Sequence, residues 1–189
     1  MDGTRADEAV RVACADETKA DEVRAACARV VSGLPEALRE TMRRDAEALA
    51  TMMLRLCPDA PWLTVQVEVV AVLGACKRWH QDRYTARALI TYTGPGTWCV
   101  DDSSVCYDQF AATVNAPVEV SDTRIVPRSK KIHRPEPNAV VIVKGNSWPG
   151  IQGVGLTHKS PDVRTDARGR PELKRLVLKV DLAEWRPGL

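Results

Sequence analysis

The chain has 189 residues, 44% of them apolar and 28% charged, a composition that can bury a core and excludes disorder as its main state. With 27 basic against 25 acidic side chains the net charge is only +2, which is not the large positive excess of a dedicated nucleic-acid binder. The longest apolar run, around Val65 to Cys76, is interrupted by Gln66 and Glu68, far short of the roughly 18 residues a membrane span needs. The first residues, Met1-Asp2-Gly3-Thr4-Arg5, are polar with no apolar segment of the secretory kind, and predict a cytoplasmic protein. The six cysteines contain no C-x-x-C pair, so they read as reduced thiols rather than a zinc ribbon.

Residues 1–57 hold twelve alanines, two glycines and one proline, the vocabulary of helices. A first helix is predicted from about Asp7 to Val31, with Val23, Cys27, Val30 and Val31 on one side. Ser32-Gly33-Leu34-Pro35 then breaks it, glycine suiting a helix end and proline the first turn of the next helix. In that second helix Leu38, Met42, Leu49, Met52, Met53 and Leu56 recur at three- and four-residue steps, with Glu36, Arg39, Arg43, Arg44 and Glu47 opposite. The reading is a helical N-terminal region, 1–57, folded as a hairpin and packed on the rest of the chain. A second apolar face on that hairpin would also permit a homodimer.

From Pro61 the period changes. Leu63, Val65, Val67, Val69, Ala71 and Leu73 alternate with polar residues, as in a half-buried strand. Eight of the eleven glycines and nine of the twelve prolines lie beyond residue 90. Between them, strands are predicted at Arg87–Tyr92, Trp98–Val100, Ala116–Val120, Arg124–Val126, Ala139–Lys144, Val154–His158 and Lys174–Asp181. The fold class expected is α+β, helices packed on a mainly antiparallel β-barrel spanning 58–189.

Three histidines are few enough to weigh singly. His80-Gln81-Asp82 places an imidazole and a carboxylate at i and i+2, on one face of an extended chain. His158 ends a predicted strand 78 residues later. Two histidines and a carboxylate are the ligands of the facial triad of non-heme Fe(II) oxygenases, which leaves open positions for a co-substrate and dioxygen. Cys76 lies four residues before His80 and would favour zinc if it joined the set. His133 sits in the most basic run, 127–135, which reads as a solvated loop without stacking aromatics, so nucleic acid is not an expected partner. Arg87, Tyr92, Trp98 and Trp148 are candidates to line a substrate pocket.

The order of these elements is similar to that of double-stranded β-helix oxygenases, with Asn138–Val143 as the hydrophobic strand ahead of the distal histidine. That resemblance implies a basic partner for the far carboxylate of 2-oxoglutarate one strand after His158. Arg175 takes this place, or Lys174 if the register is displaced by one. The blocks Cys76-x-x-Trp79-His80-x-Asp82, Arg87-x-x-x-Thr91-Tyr92-x-Gly94-Pro95-Gly96-Thr97-Trp98, Lys144-Gly145-x-x-Trp148-Pro149-Gly150 and Gly155-Leu156-x-His158-x-Ser160-Pro161 also resemble an uncharacterised bacterial domain-of-unknown-function family, over residues 62–185. Trp98-Cys99 departs from the Trp-Leu expected there, and the first 48 residues are expected to lie outside the match.

The resemblance implies a cupin-like double-stranded β-helix with His80, Asp82 and His158 as metal ligands and Arg175 as co-substrate anchor. Arg87, Tyr92, Trp98 and Trp148 would then face the substrate. The function expected is an Fe(II)-dependent, 2-oxoglutarate-dependent oxygenase acting on a small molecule. The alternative is a zinc-binding protein of metal homeostasis without turnover.

Overall fold

A computed structural model describes residues 8–13, 19–70, 76–151, 154–162 and 174–182. The clearest strand is β2 (Trp62–Val70), where Leu63, Val65 and Val67 are buried and their neighbours half-exposed. Its partner β7 (Arg175–Leu182) is central to the sheet and covered on both faces, with Leu178, Val180 and Leu182 on one side and Arg175, Val177 and Asp181 on the other. With β1 (Glu8–Ala13), β3 (Ala86–Thr91) and β5 (Val140–Lys144) they make a five-stranded antiparallel sheet in the order β1-β2-β7-β3-β5.

A second sheet pairs β4 (Trp98–Cys99) with β6 (His158–Lys159). Two isolated bridges, His80 to His158 and Cys99 to His133, widen it into four neighbouring segments. The described strands form these two sheets and trace no closed barrel.

The helices cover one face of the large sheet. In α1 (Lys19–Val30), Val23, Ala26, Cys27 and Val30 are buried; in α2 (Glu36–Leu56), Met42, Ala46, Leu49, Ala50 and Met53 are. They join Leu63, Val65, Val67, Ile90, Leu178 and Val180 in the main core. Burial of each of Met42, Leu49 and Met53 stabilises the packing by about 1.5–3 kcal/mol. The predicted stripe is therefore real at its centre, while Leu38 and Leu56 at its ends stay exposed. On the opposite sheet face a smaller cluster, Val70, Leu89, Val141, Val143 and Val177, leaves room for polar side chains. No helix among the described residues is long and apolar enough to cross a membrane.

Three expectations need correcting. Residues 8–13, taken into the first helix, are strand β1, paired with 62–67, and α1 begins only at Lys19. Alanine content masked the period-two signal of Val10 and Val12. Ala116–Val120 and Arg124–Val126 are not strands: Val118–Ile125 is helix α4, entered at Pro117, with Ser121 and Ile125 buried four apart. The Val-Glu-Val alternation is overridden there by packing under the small sheet, where Ile125 meets Trp79, Val100 and Val126. Just ahead of them α3 (Asp108–Ala112) was not foreseen. Ala71 and Leu73 of the second predicted strand lie outside the described residues.

Candidate metal centre

His80 and His158 meet because their backbones do. His80 N–H donates to the His158 carbonyl at 3.0 Å, and His158 N–H donates back at 2.9 Å. Residues paired in this way across antiparallel segments carry their side chains on one face. The two ring centroids are 4.3 Å apart.

Each ring is then fixed by the carbonyl two residues before it, at 2.9 Å from His80 Nδ1 to Arg78 and 3.0 Å from His158 Nδ1 to Leu156. A carbonyl only accepts, so Nδ1 carries the proton and each Nε2 keeps its lone pair for a ligand. Asp82 Oδ1 lies 3.6 Å from His80 Nε2, and its Oδ2 lies 3.5 Å from His158 Nε2. These three residues form a group that could hold a metal ion, with donor atoms within 4.8 Å of one another.

The surroundings act on the two imidazoles in opposite directions. Burial, aided by the neighbouring His80, pushes His158 down to about 4. Burial also opposes a proton on His80, yet hydrogen bonds to Cys76 and to the Arg78 carbonyl outweigh it and hold that imidazole above its ordinary value.

Asp82 is positioned from two directions. Its carbonyl accepts from Asn146 N–H at 2.8 Å, and Gly145 N–H beside it donates to Thr85 at 3.0 Å. A Cβ at Gly145 would collide with the Tyr84 carbonyl, so only glycine lets this turn close on the ligand loop. The Asp82 side chain is gripped by Arg87, whose Nη1 donates to Oδ2 at 2.8 Å. Arg87 spends its other edge on Asp181, with Nε at 2.6 Å and Nη2 at 2.9 Å. The antiparallel register places Arg87 and Asp181 opposite each other on β3 and β7.

Across the same cavity lies Arg175, 3% exposed. Its Nη2 donates to Thr91 Oγ1 at 3.2 Å and Thr97 Oγ1 at 3.1 Å, and its Nη1 to Ser160 Oγ at 3.4 Å. Among the described residues no carboxylate makes a salt bridge with it and its Nε has no hydrogen-bond partner; Glu68, which lines the same cavity, is paired with Lys179 and acts on it only through its charge. Burial lowers this guanidinium to about 10. The cavity measures about 110 Å³; its lining includes His80, His158, Cys76, the charged Arg87, Arg175, Glu68 and Lys179, and the apolar Leu89 and Val177.

The structure thus gathers His80, Asp82, His158, Arg87 and Arg175 at one place. It sets three other candidates elsewhere. Tyr92 is on the helix-covered face and donates to Asp45 of α2 at 2.6 Å. Trp98 packs in the cluster under the small sheet, between Arg134 and Lys159. Trp148 lines a separate cleft with Leu56, Pro58 and Pro149, under Lys144. His133 pairs with Asp101 at 3.1 Å. Sequence reasoning missed Asp181, Thr91, Thr97 and Ser160. The signal available for Asp181 was its period-two relation to Arg175, Val177 and Lys179 on one face of β7.

A family model described as "Protein of unknown function (DUF1826)" matches residues 3–181. The chain belongs to this DUF1826 family. The match takes in β1 and both long helices, which overturns the expectation that the first 48 residues stand apart. No curated protein matches this DUF1826 chain. Among solved structures, it is similar to "Crystal structure of dioxygenase for auxin oxidation (DAO) in rice" at 15% identity and TM-score 0.49, over 97% of this chain and 60% of that one. The chain thus spans 60% of that protein's length, and at this distance neither its activity nor its substrate transfers.

Proposed function

We propose that this protein is a non-heme Fe(II) oxygenase that uses 2-oxoglutarate to oxidise a small molecule. One observation carries the reading: two imidazoles oriented through their Nδ1 atoms and one carboxylate converge beside a buried arginine with no salt bridge among the described residues. Two neutral nitrogens and one oxygen suit a divalent first-row ion and leave half of an octahedron open. An unpaired buried guanidinium suits an anionic co-substrate, because a carboxylate would supply both the missing charge and the missing acceptor.

In this reading His80 Nε2, Asp82 and His158 Nε2 hold the iron, which supplies activation of dioxygen at its open positions with 2-oxoglutarate as reductant. Arg175 binds the far carboxylate of the co-substrate. Thr91, Thr97 and Ser160 orient its fork, and Leu89 and Val177 exclude water from the chain between the two ends.

The test is succinate formation by the Fe(II)-loaded protein given 2-oxoglutarate and air, with no other substrate. Slow, iron-dependent succinate production, lost in His158→Ala, is the expected result; none above the iron-free control would count against the reading. A second reading, zinc held for storage or sensing, is favoured by Cys76, whose thiol is drawn down by its hydrogen bond to His80. Zinc that resists exchange by iron and depends on Cys76 would support it instead.

A further inference from the structure

Arg87 makes more contacts than a strand-to-strand ion pair needs. Asp181 alone satisfies two of its donors in a bidentate fork, at 2.6 and 2.9 Å, and thereby balances its charge. The third edge is nonetheless aimed at Asp82, and at one oxygen only: Nη1 lies 2.8 Å from Oδ2. Both oxygens reach the rings, Oδ1 at 3.6 Å from His80 Nε2 and Oδ2 at 3.5 Å from His158 Nε2, but only Oδ2 carries the guanidinium. The ion-pair cluster is largely buried, with side-chain exposures of 16% for Arg87, 10% for Asp82 and 11% for Asp181, so these contacts are not averaged by water.

A free aspartate can bind a metal through one oxygen or through both. Binding through both would consume a coordination position on the face that two histidines leave open. We infer that Arg87, itself gripped by Asp181, is a positioning residue that occupies Oδ2 and restricts Asp82 to binding a metal through Oδ1. The inference rests on the metal reading of the three ligands. Asp181 has a distinct part in it. Without that second carboxylate, the whole guanidinium charge would fall on Asp82 and compete with the metal for its electrons. With it, Arg87 steers Asp82 while leaving its donor strength intact. Lysine could not do the same, since one ammonium cannot hold both carboxylates in a fixed plane.

Cobalt(II) is the probe, because the position and intensity of its visible d–d band report the ligands and geometry around the ion. The wild type, Arg87→Met and Asp181→Asn would each be titrated with Co(II), then with 2-oxoglutarate, with circular dichroism confirming the fold. Arg87→Met is expected to retain Co(II) with an altered band, as Asp82 swings to bind through both oxygens. It should then need about 10- to 100-fold more 2-oxoglutarate for half-saturation, the range typical of partners that orient metal ligands. Asp181→Asn is expected to bind Co(II) about tenfold more weakly with the band shape unchanged.

If both folded variants give the wild-type band and affinity, Arg87 is only a structural ion pair and the inference is overturned. Should Arg87→Met fail to fold, Asp181→Asn decides alone: weaker Co(II) binding supports the inference and unchanged binding overturns it. A wild type that binds Co(II) but ignores 2-oxoglutarate defeats the oxygenase reading, while the band comparison still decides the role of Arg87. A wild type that binds no Co(II) overturns both.

Discussion

Replacing Arg175 by methionine should make the empty protein more stable, the opposite of most buried substitutions. Burial lowers this guanidinium from 12.5 to about 10. At about 1.4 kcal/mol per factor of ten, that is about 3 kcal/mol of penalty on the charged form. Because folding lowers the value, the unfolded chain holds the extra proton between the two values. The penalty is therefore present in full at neutral pH and is relieved only as pH rises past about 10.

Arg175→Met removes the penalty and keeps an unbranched, though shorter, side chain, while Thr91, Thr97 and Ser160 lose a partner at about 1–2 kcal/mol in all. The net expectation is a gain of about 1–2 kcal/mol. At this size each kcal/mol raises Tm by about 2–4 °C. The assay is urea and thermal unfolding of metal-loaded wild type and variant, with and without 2-oxoglutarate. The co-substrate should stabilise the wild type and leave the variant unmoved. A variant destabilised by about 3–5 kcal/mol, as when one partner of a buried ion pair is removed, would refute the reasoning.

Other perturbations separate the site from its scaffold. Gly145→Ala should displace the Asp82 loop and weaken metal binding, read as a lower zinc or cobalt affinity in chelator competition; unchanged affinity would mean that the turn does not set the ligand. Tyr92→Phe should cost about 1 kcal/mol through its lost bond to Asp45, with metal content unaltered, since that residue lies on the helix-covered face. Metal retention should fall as pH drops through the protonation of His80, above the ordinary 6.5. His158, held near 4, should add to the loss only in stronger acid. The sign comes from competition between proton and metal for Nε2, so a chelator titration that grew harder toward low pH would contradict it.

The group that could hold a metal was legible because its chemistry is local to a few rare residues. With three histidines in the chain, H-x-D and a second histidine at a strand end left few combinations to weigh. Arg175 was legible only through the order of elements, and its lack of a salt bridge among the described residues was not visible until β3 and β7 were side by side. The role of Arg87 depends on Asp181, 94 residues away, which only the strand register brings opposite. Tyr92, Trp98 and Trp148 misled for a related reason. An aromatic in a short strand has two faces to choose from, and Tyr92 follows Ala86, Ala88 and Ile90 onto the helix side. The errors in secondary structure, strand β1 and helix α4, lie where local composition and tertiary pairing disagree.

The central claim is an open metal site that accepts a 2-oxo acid beside Arg175. Its most direct test is anaerobic reconstitution with Fe(II) followed by titration with 2-oxoglutarate, watching for the visible metal-to-ligand charge-transfer band of a chelated 2-oxo acid. The account predicts a band that saturates in the wild type, needs far more co-substrate in Arg175→Met, and is absent in His158→Ala. Iron bound at one per chain with no band at any concentration of 2-oxoglutarate would contradict it.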